Sequence, residues 1–174
     1  MNVQLDVQYA VDQADLPDEE TIRAWIDMVL DMPGLEWRQD GKLTVDTLRD
    51  SGVQLTVRLA DREESAELNS HYRHRSGPTN VLSFPYDQQV PVEPVLLGDI
   101  VICAPLVVTE AQQQSKPVMA HWAHLVIHGV LHLLGYDHES VADADIMESM
   151  EARVLQQLGL PDPYAMTANG MHGP

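Results

Sequence analysis

Cysteine, basic residues and long apolar runs are all scarce in this sequence. The one cysteine among 174 residues, Cys103, excludes an internal disulfide framework. No apolar run approaches the roughly 18 to 20 residues that a membrane-spanning helix needs. The N-terminus also lacks the basic start and apolar block of a secretory signal peptide. We therefore expect a cytoplasmic protein that does not associate with membranes.

The balance of charge is strongly acidic, with 10 basic against 27 acidic residues and a net charge of −17. This balance argues against a general nucleic-acid coat, because phosphate binding needs Lys and Arg. Two segments, 71–86 and 111–136, nevertheless contain no acidic residue. If these segments meet in the fold, they form a neutral-to-positive patch that suits a specific anionic substrate.

Hydrophobic periodicity, capping residues and prolines predict the secondary structure. Strands are predicted over 3–9, 53–60, 80–86 and 96–104, and helices over 17–32, 61–75, 105–115, 117–134 and 141–158. We expect one α+β domain over 1–160, with about four strands in a mixed sheet packed by several helices. The tail, 161–174, is short and rich in small and turn residues, which predicts mobility. Pro85 favours an edge position or a strand end for its segment.

The stretch "HLVIHGVLHLLGYDH" (124–138) contains four histidines in an otherwise apolar frame. His128 and His132 are four residues apart, so on a helix both rings can reach one ion. Gly135 ends the helix and lets the chain reverse, which allows His138 to swing back beneath the helix end. Three neutral imidazoles with an open fourth position are typical of catalytic zinc, so we expect a Zn²⁺ site at the end of this helix.

Two other histidines and one glycine bear on this interpretation. His121 and His124 are expected to be core residues or, at most, supports for the ligands, although His124 also lies four residues from His128. The spacing matches H-E-x-x-H-x-x-G-x-x-H metalloproteases. Gly129, however, stands where those enzymes carry the Glu that acts as general base. The peptidase machinery is therefore missing.

The segment "HYRHRSGPTNVLSF" places two arginines at a predicted helix end, before a Gly-Pro turn and a strand. An arginine has a planar, permanently charged fork that fits phosphate. Zinc together with a fixed arginine stabilises the negative charge of a phosphoryl transition state. We expect this role for Arg73, and for Arg75 a surface position capping helix carbonyls. Thr79 and Asn80 are expected to hold the turn.

Three blocks together resemble the bacterial YbeY family of zinc-dependent endoribonucleases. They are "HGVLHLLGYDH" (128–138), "YRHRSGPTNVLSFPYD" (72–87) and "LLGDIVIC" (96–103), and the similarity covers most of 50–160. The resemblance implies that His128, His132 and His138 bind zinc and that Arg73 is the functional arginine. It implies single-strand-specific cleavage of RNA in ribosomal RNA maturation, notably at the 3′ end of small-subunit rRNA, and a part in ribosome quality control. After the arginine the family usually has Gly-Lys-Asp, whereas this chain has "HRSG" (74–77) and so lacks a loop aspartate.

The leading hypothesis is therefore metal-assisted cleavage of RNA, with Arg73 contacting the phosphate. Asp137, adjacent to a predicted ligand, either orients an imidazole or caps the turn. Because basic residues are few, we expect specificity to come from the small ribosomal subunit, through its proteins or assembly factors. One alternative is a non-enzymatic ribosome-assembly factor with a structural zinc, which a fourth protein ligand would support. A metalloprotease, suggested by the histidine spacing, is the weaker alternative.

Overall fold

The chain forms an α+β domain, as predicted, in a computed structural model that describes residues 2–38, 44–86 and 93–164. Four strands form one mixed sheet. They are β1 (Val3–Ala10), β2 (Val53–Ala60), β3 (Val81–Pro85) and β4 (Val95–Cys103). The helices of the described ranges are α1 (Glu19–Leu30), α2 (Val45–Ser51), α3 (Arg62–Arg73), α4 (Ala104–Gln113), α5 (Val118–Leu133) and α6 (Val141–Gln157).

The sheet has the strand order β1-β2-β4-β3. β1, β2 and β4 run parallel, while β3 pairs antiparallel with β4 and forms one edge of the sheet. The edge position that Pro85 predicted is therefore confirmed. A proline is tolerated there because it removes no hydrogen bond from the interior of the sheet. Cys103 ends β4 and is fully buried, as expected for a strand thiol.

Helix α5 runs through the middle of the molecule and packs against α1, α4, α6, β3 and β4. Its sequence is apolar on nearly every side, which suits a helix surrounded by other elements. A Cβ added at Gly129 would lie 2.8 Å from Cγ2 of the buried Ile100 on β4, so the helix passes close to the sheet at this point. None of the helices that the structure describes is long and apolar enough to cross a membrane.

Several predicted helix boundaries are confirmed by their caps. The Asp61 carboxylate accepts a hydrogen bond from the backbone of Glu64 and begins α3, and Ser140 caps α6 through the backbone of Asp143. The first helix is shorter than predicted, because the Asp18 side chain accepts from the backbone of Thr21 and so caps the chain before residue 19.

One helix was not predicted. α2 has seven residues, and Leu48 is its one buried side chain, so it shows no apolar periodicity. Residues 165–174 of the predicted mobile tail lie outside the described residues, as does the last residue of the block 72–87.

Candidate metal centre

The three predicted ligands meet at the C-terminal end of α5. His128 and His132 project from successive turns, and the backbone of Tyr136 donates to the Leu131 carbonyl as the chain turns at Gly135. This reversal brings His138 back to the other two rings. One ring nitrogen from each histidine lies within 4.8 Å of the others, and the two Nε2 atoms of His128 and His132 are 3.0 Å apart.

The triplet opens toward solvent on one side, because His138 is exposed while His128 and His132 are half-buried. Burial, helped by the two neighbouring rings, lowers the pKa of His132 to about 4, against a weaker opposing effect of the Tyr136 backbone. At neutral pH His132 is therefore an uncharged imidazole with a lone pair to offer. Converging neutral imidazole nitrogens are a donor set that fits zinc and similar divalent transition metals.

A buried carboxylate on α6 supports the triplet from behind. Glu151 is fully buried, and its two oxygens lie 2.6 Å from Nδ1 of His128 and 2.8 Å from Nε2 of His124. The Tyr164 hydroxyl donates to the oxygen that faces His124. Burial alone would raise the pKa of Glu151, but the hydrogen bonds from the two histidines outweigh it and hold the pKa below its ordinary value.

The ionised Glu151 fixes the tautomer of His128. A carboxylate only accepts, so the proton of His128 lies on Nδ1 and the lone pair on Nε2, the nitrogen that faces His132. Burial and then the charge of Glu151 raise the pKa of Tyr164, which keeps its hydroxyl a donor. His124, His128 and Glu151 form a second group whose ligand atoms lie within 4.8 Å of one another.

The predicted arginine contacts β3, the strand that packs against the same helix. Arg73 is the last residue of α3, and its Nη2 donates to the Ser83 carbonyl of β3 at 2.7 Å, while its guanidinium lies 5.3 Å from the Phe84 ring centre. The Ser83 hydroxyl in turn donates to the carbonyl of Gly129, next to His128, at 3.3 Å. The two acid-free segments, which contain β3 and α5, therefore do meet in the fold.

Asp137 makes a hydrogen bond within the turn that carries His138. Its Oδ1 accepts from the backbone of Glu139 at 3.1 Å, which is the turn-capping alternative left open above. Among the described residues, Glu151 is the carboxylate that contacts the imidazoles of the site. The sequence carried a signal for it, because Glu151 falls on the apolar stripe of α6 with Met147 and Val154. A buried carboxylate requires partners, and clustered histidines supply them.

The position of Gly129 bears on the metalloprotease alternative. Position 129 faces Ile100 in the sheet. Any side chain there requires the buried Ile100 to move, because an added Cβ would lie 2.8 Å from its Cγ2. This close packing counts against a peptidase base at that position.

His121 occupies a separate buried network. Its Nε2 lies 2.7 Å from the Glu110 carboxylate, which also accepts from the Asn80 amide at 3.1 Å. Burial lowers the pKa of His121 although Glu110 opposes it, so the ring is neutral at pH 7. His121 thereby links α4, α5 and the start of β3 without joining the triplet.

The fold and the site together define a class: an α+β protein with a three-histidine candidate metal centre and an exposed arginine at the end of α3. The sequence model of the family described as Endoribonuclease YbeY matches residues 8–159. A relative named Endoribonuclease YbeY from Nitrosococcus oceani is 42% identical over 94% of this chain and 98% of its own. One of the same name from Coxiella burnetii is 46% identical over 93% of this chain and 98% of its own.

The chain therefore belongs to the YbeY family of endoribonucleases. The solution structure of TM1509 from Thermotoga maritima aligns with 89% of this chain and 91% of that one, with 21% identity and a TM-score of 0.49. The family places the chain among the hydrolases that cut RNA internally.

Proposed function

We propose that this protein is a zinc-dependent, single-strand-specific endoribonuclease that acts in ribosomal RNA maturation, at the 3′ end of small-subunit rRNA, and in ribosome quality control. Membership of the YbeY family supports cleavage of RNA. The observation that carries the metal dependence is the convergence of three imidazoles, with Nε2 of His128 and of His132 only 3.0 Å apart.

Of the two groups that fit an ion, we assign the metal to His128, His132 and His138. The other group contains Glu151, which is fully buried and already bonded to protonated ring nitrogens and to a phenol. A substrate has no access to it. The triplet includes the exposed His138 and so offers an open position to water and phosphate.

Zinc, when bound to these histidines, supplies a Lewis acid for a phosphate oxygen and lowers the pKa of coordinated water. The chain's own residues position the substrate. Arg73 has an exposed guanidinium that uses one nitrogen for the Ser83 carbonyl, which leaves its other N–H groups for a phosphate. Its fixed charge offsets the negative charge that develops as the phosphodiester is cut. Glu151 keeps the His128 lone pair directed at the ion.

We further propose that the enzyme works in the cytoplasm, on RNA held by the small ribosomal subunit and its proteins or assembly factors. The net charge of −17 weakens association with naked RNA. A basic ribosomal protein is electrostatically complementary to this acidic body and would raise the local concentration of enzyme at the rRNA.

A structural zinc in a non-enzymatic assembly factor is the second candidate, and the ligand set argues against it. Structural zinc sites fill all four positions with protein groups. In the described ranges the triplet gains no fourth His, Cys, Asp or Glu, and Cys103 belongs to neither group.

The test compares wild type, His128→Ala and Arg73→Ala for zinc content and for cleavage of small-subunit rRNA with a single-stranded 3′ tail. We expect about one zinc per chain in wild type, and loss of both zinc and cleavage in His128→Ala. Arg73→Ala should keep its zinc but cleave about 100-fold more slowly, as for other groups that stabilise transition-state charge. Equal cleavage by all three proteins would identify a contaminating nuclease and favour the structural-zinc alternative.

A further inference from the structure

Three rings form a small aromatic surface beside Arg73. The ring of Tyr72 is 4.5 Å from that of His71 and 5.2 Å from that of Phe84, in edge-on contacts. Tyr72 is 53% exposed although a tyrosine ring is largely apolar. We call His71, Tyr72 and Phe84 the aromatic ledge. An exposed ring held in place by neighbouring rings is a preformed stacking surface.

The cations next to the ledge lack acidic partners. Within the described part of the chain, Arg73 contacts only the Ser83 carbonyl and the Phe84 ring, and the side chain of Arg75 makes no hydrogen bond or ion pair. By contrast, Arg38 and Arg58 are both paired with carboxylates. In a protein with a net charge of −17, two adjacent unpaired arginines concentrate positive potential at one place.

Two open grooves connect these groups. One, of about 410 Å³, is lined by Arg73, Arg75 and Thr79 among others. The second, of about 800 Å³, is lined by His71 and Tyr72 together with one carboxylate, Glu67. Ser76 lines both grooves, so they adjoin. An extended chain that alternates flat rings with anionic groups would fit this surface, with the rings on the aromatic side chains and the anions on the guanidinium groups.

We propose that this surface is a subsite for an unpaired segment of the RNA substrate, with a base stacked on Tyr72 and a backbone phosphate on Arg75. The inference rests on the proposed function and extends it to how the strand is held. Stacking tolerates any base, because every base has a π-face. Bases inside a duplex are already stacked on one another, so the subsite also gives a physical reason for a single-strand preference.

The edge strand β3 lies between the ledge and the candidate metal centre. Phe84 packs with the apolar cluster that includes Leu68 of α3, whereas the hydroxyl of the neighbouring Ser83 contacts the Gly129 carbonyl of α5, beside His128. Successive side chains of a strand point to opposite faces of the sheet, so an RNA strand held on Tyr72 reaches α5 around the sheet edge that β3 forms.

The test is equilibrium binding of a fluorescent, unstructured ten-nucleotide RNA to the full chain, with a chelator present so that the strand is not cut. We expect Tyr72→Ala to weaken binding about tenfold, and Tyr72→Phe, which keeps the ring, to bind like wild type. Arg75→Ala should lower the slope of log affinity against log salt by about 0.7. Matched controls are Tyr9→Ala, an exposed tyrosine on the opposite sheet edge, and Arg62→Ala, at the other end of α3.

The affinities of these variants support or overturn the proposed RNA subsite. Wild-type affinity in Tyr72→Ala, or equal losses in Tyr72→Ala and Tyr9→Ala, would overturn the subsite, as would equal losses in Tyr72→Phe and Tyr72→Ala. An abasic version of the same oligonucleotide should bind wild type about as weakly as normal RNA binds Tyr72→Ala. Cleavage by the zinc-loaded wild type tests the proposed function separately, so the failure of one is distinguishable from the failure of the other.

Discussion

His128 separates two regions of opposite character. On its Nδ1 side lies the closed side: Glu151, fully buried, with donors from His124, His128 and Tyr164. On its Nε2 side lies the open side, formed with His132 and the exposed His138. On the closed side both oxygens of Glu151 have hydrogen-bond donors, whereas the open side brings together ring nitrogens that have lone pairs to share.

The difference shows how the contact at one ring nitrogen of His128 determines the protonation of the other. A buried carboxylate is stable only with donors around it, and this requirement fixes where the His128 proton is. The lone pair is then left on the nitrogen that faces the open side. A substitution that disrupts the hydrogen bonds of Glu151 should therefore lower the affinity of the open side for a metal ion. Loss of an open-side histidine other than His128 should leave the bonds to Glu151 in place.

The largest effect is expected from a pair of substitutions on α5, His132→Ala and His124→Ala, which alter residues four positions to either side of His128. His132→Ala removes an open-side ligand, so zinc per chain should fall from about one to nearly zero after desalting. His124→Ala removes one donor from Glu151 and should retain about one zinc. Elemental analysis of both variants measures this. The reverse result would place the metal on the closed side.

A smaller effect is expected from Glu151→Gln, which keeps the size of the side chain but makes one of its two acceptors a donor. One histidine then faces an amide N–H group, and the tautomer of His128 is no longer fixed. Zinc affinity, measured by competition with a chromogenic chelator, should fall about 10- to 100-fold, as for other carboxylates that support a metal-bound histidine.

The matched control for this variant is Glu110→Gln. It changes the carboxylate that contacts His121 on the same helix, away from the triplet. We expect this control to lower stability without changing zinc affinity. Equal losses of zinc affinity in the two variants would show that helix packing, and not the tautomer of His128, supports the metal.

The sequence was enough to predict the open side but not the closed side. The three histidines of the open side lie within eleven residues of one helix and turn, so their spacing and Gly135 predict their convergence. Glu151 comes from another helix, and Tyr164 follows that helix. Long-range packing of this kind leaves only an indirect sign in the sequence, a carboxylate on an apolar stripe.

The same contrast holds for the fold. The elements with a cap and a clear period, such as α3 and α6, were predicted to within a few residues, because short-range bonds set their ends. The short helix α2 was missed, because Leu48 is its one buried side chain and leaves no apolar periodicity in the sequence. Arg73 was predicted as a phosphate ligand, but its hydrogen bond to the Ser83 carbonyl depends on how α3 packs beside β3.

The smallest effect is expected from Tyr164→Phe, which removes one of the three donors around Glu151 and keeps the ring that packs edge-on against His124. The bonds from His124 and His128 remain, so the His128 proton stays on Nδ1. The free energy of unfolding should fall by about 2 kcal/mol, the usual contribution of a hydrogen bond to a charged group, as measured by urea denaturation of the metal-free chain. Zinc affinity should change less than in Glu151→Gln. An equal loss of zinc affinity would mean that Tyr164, beyond the end of α6, helps to hold the metal centre, and that the closed side depends on all three donors together.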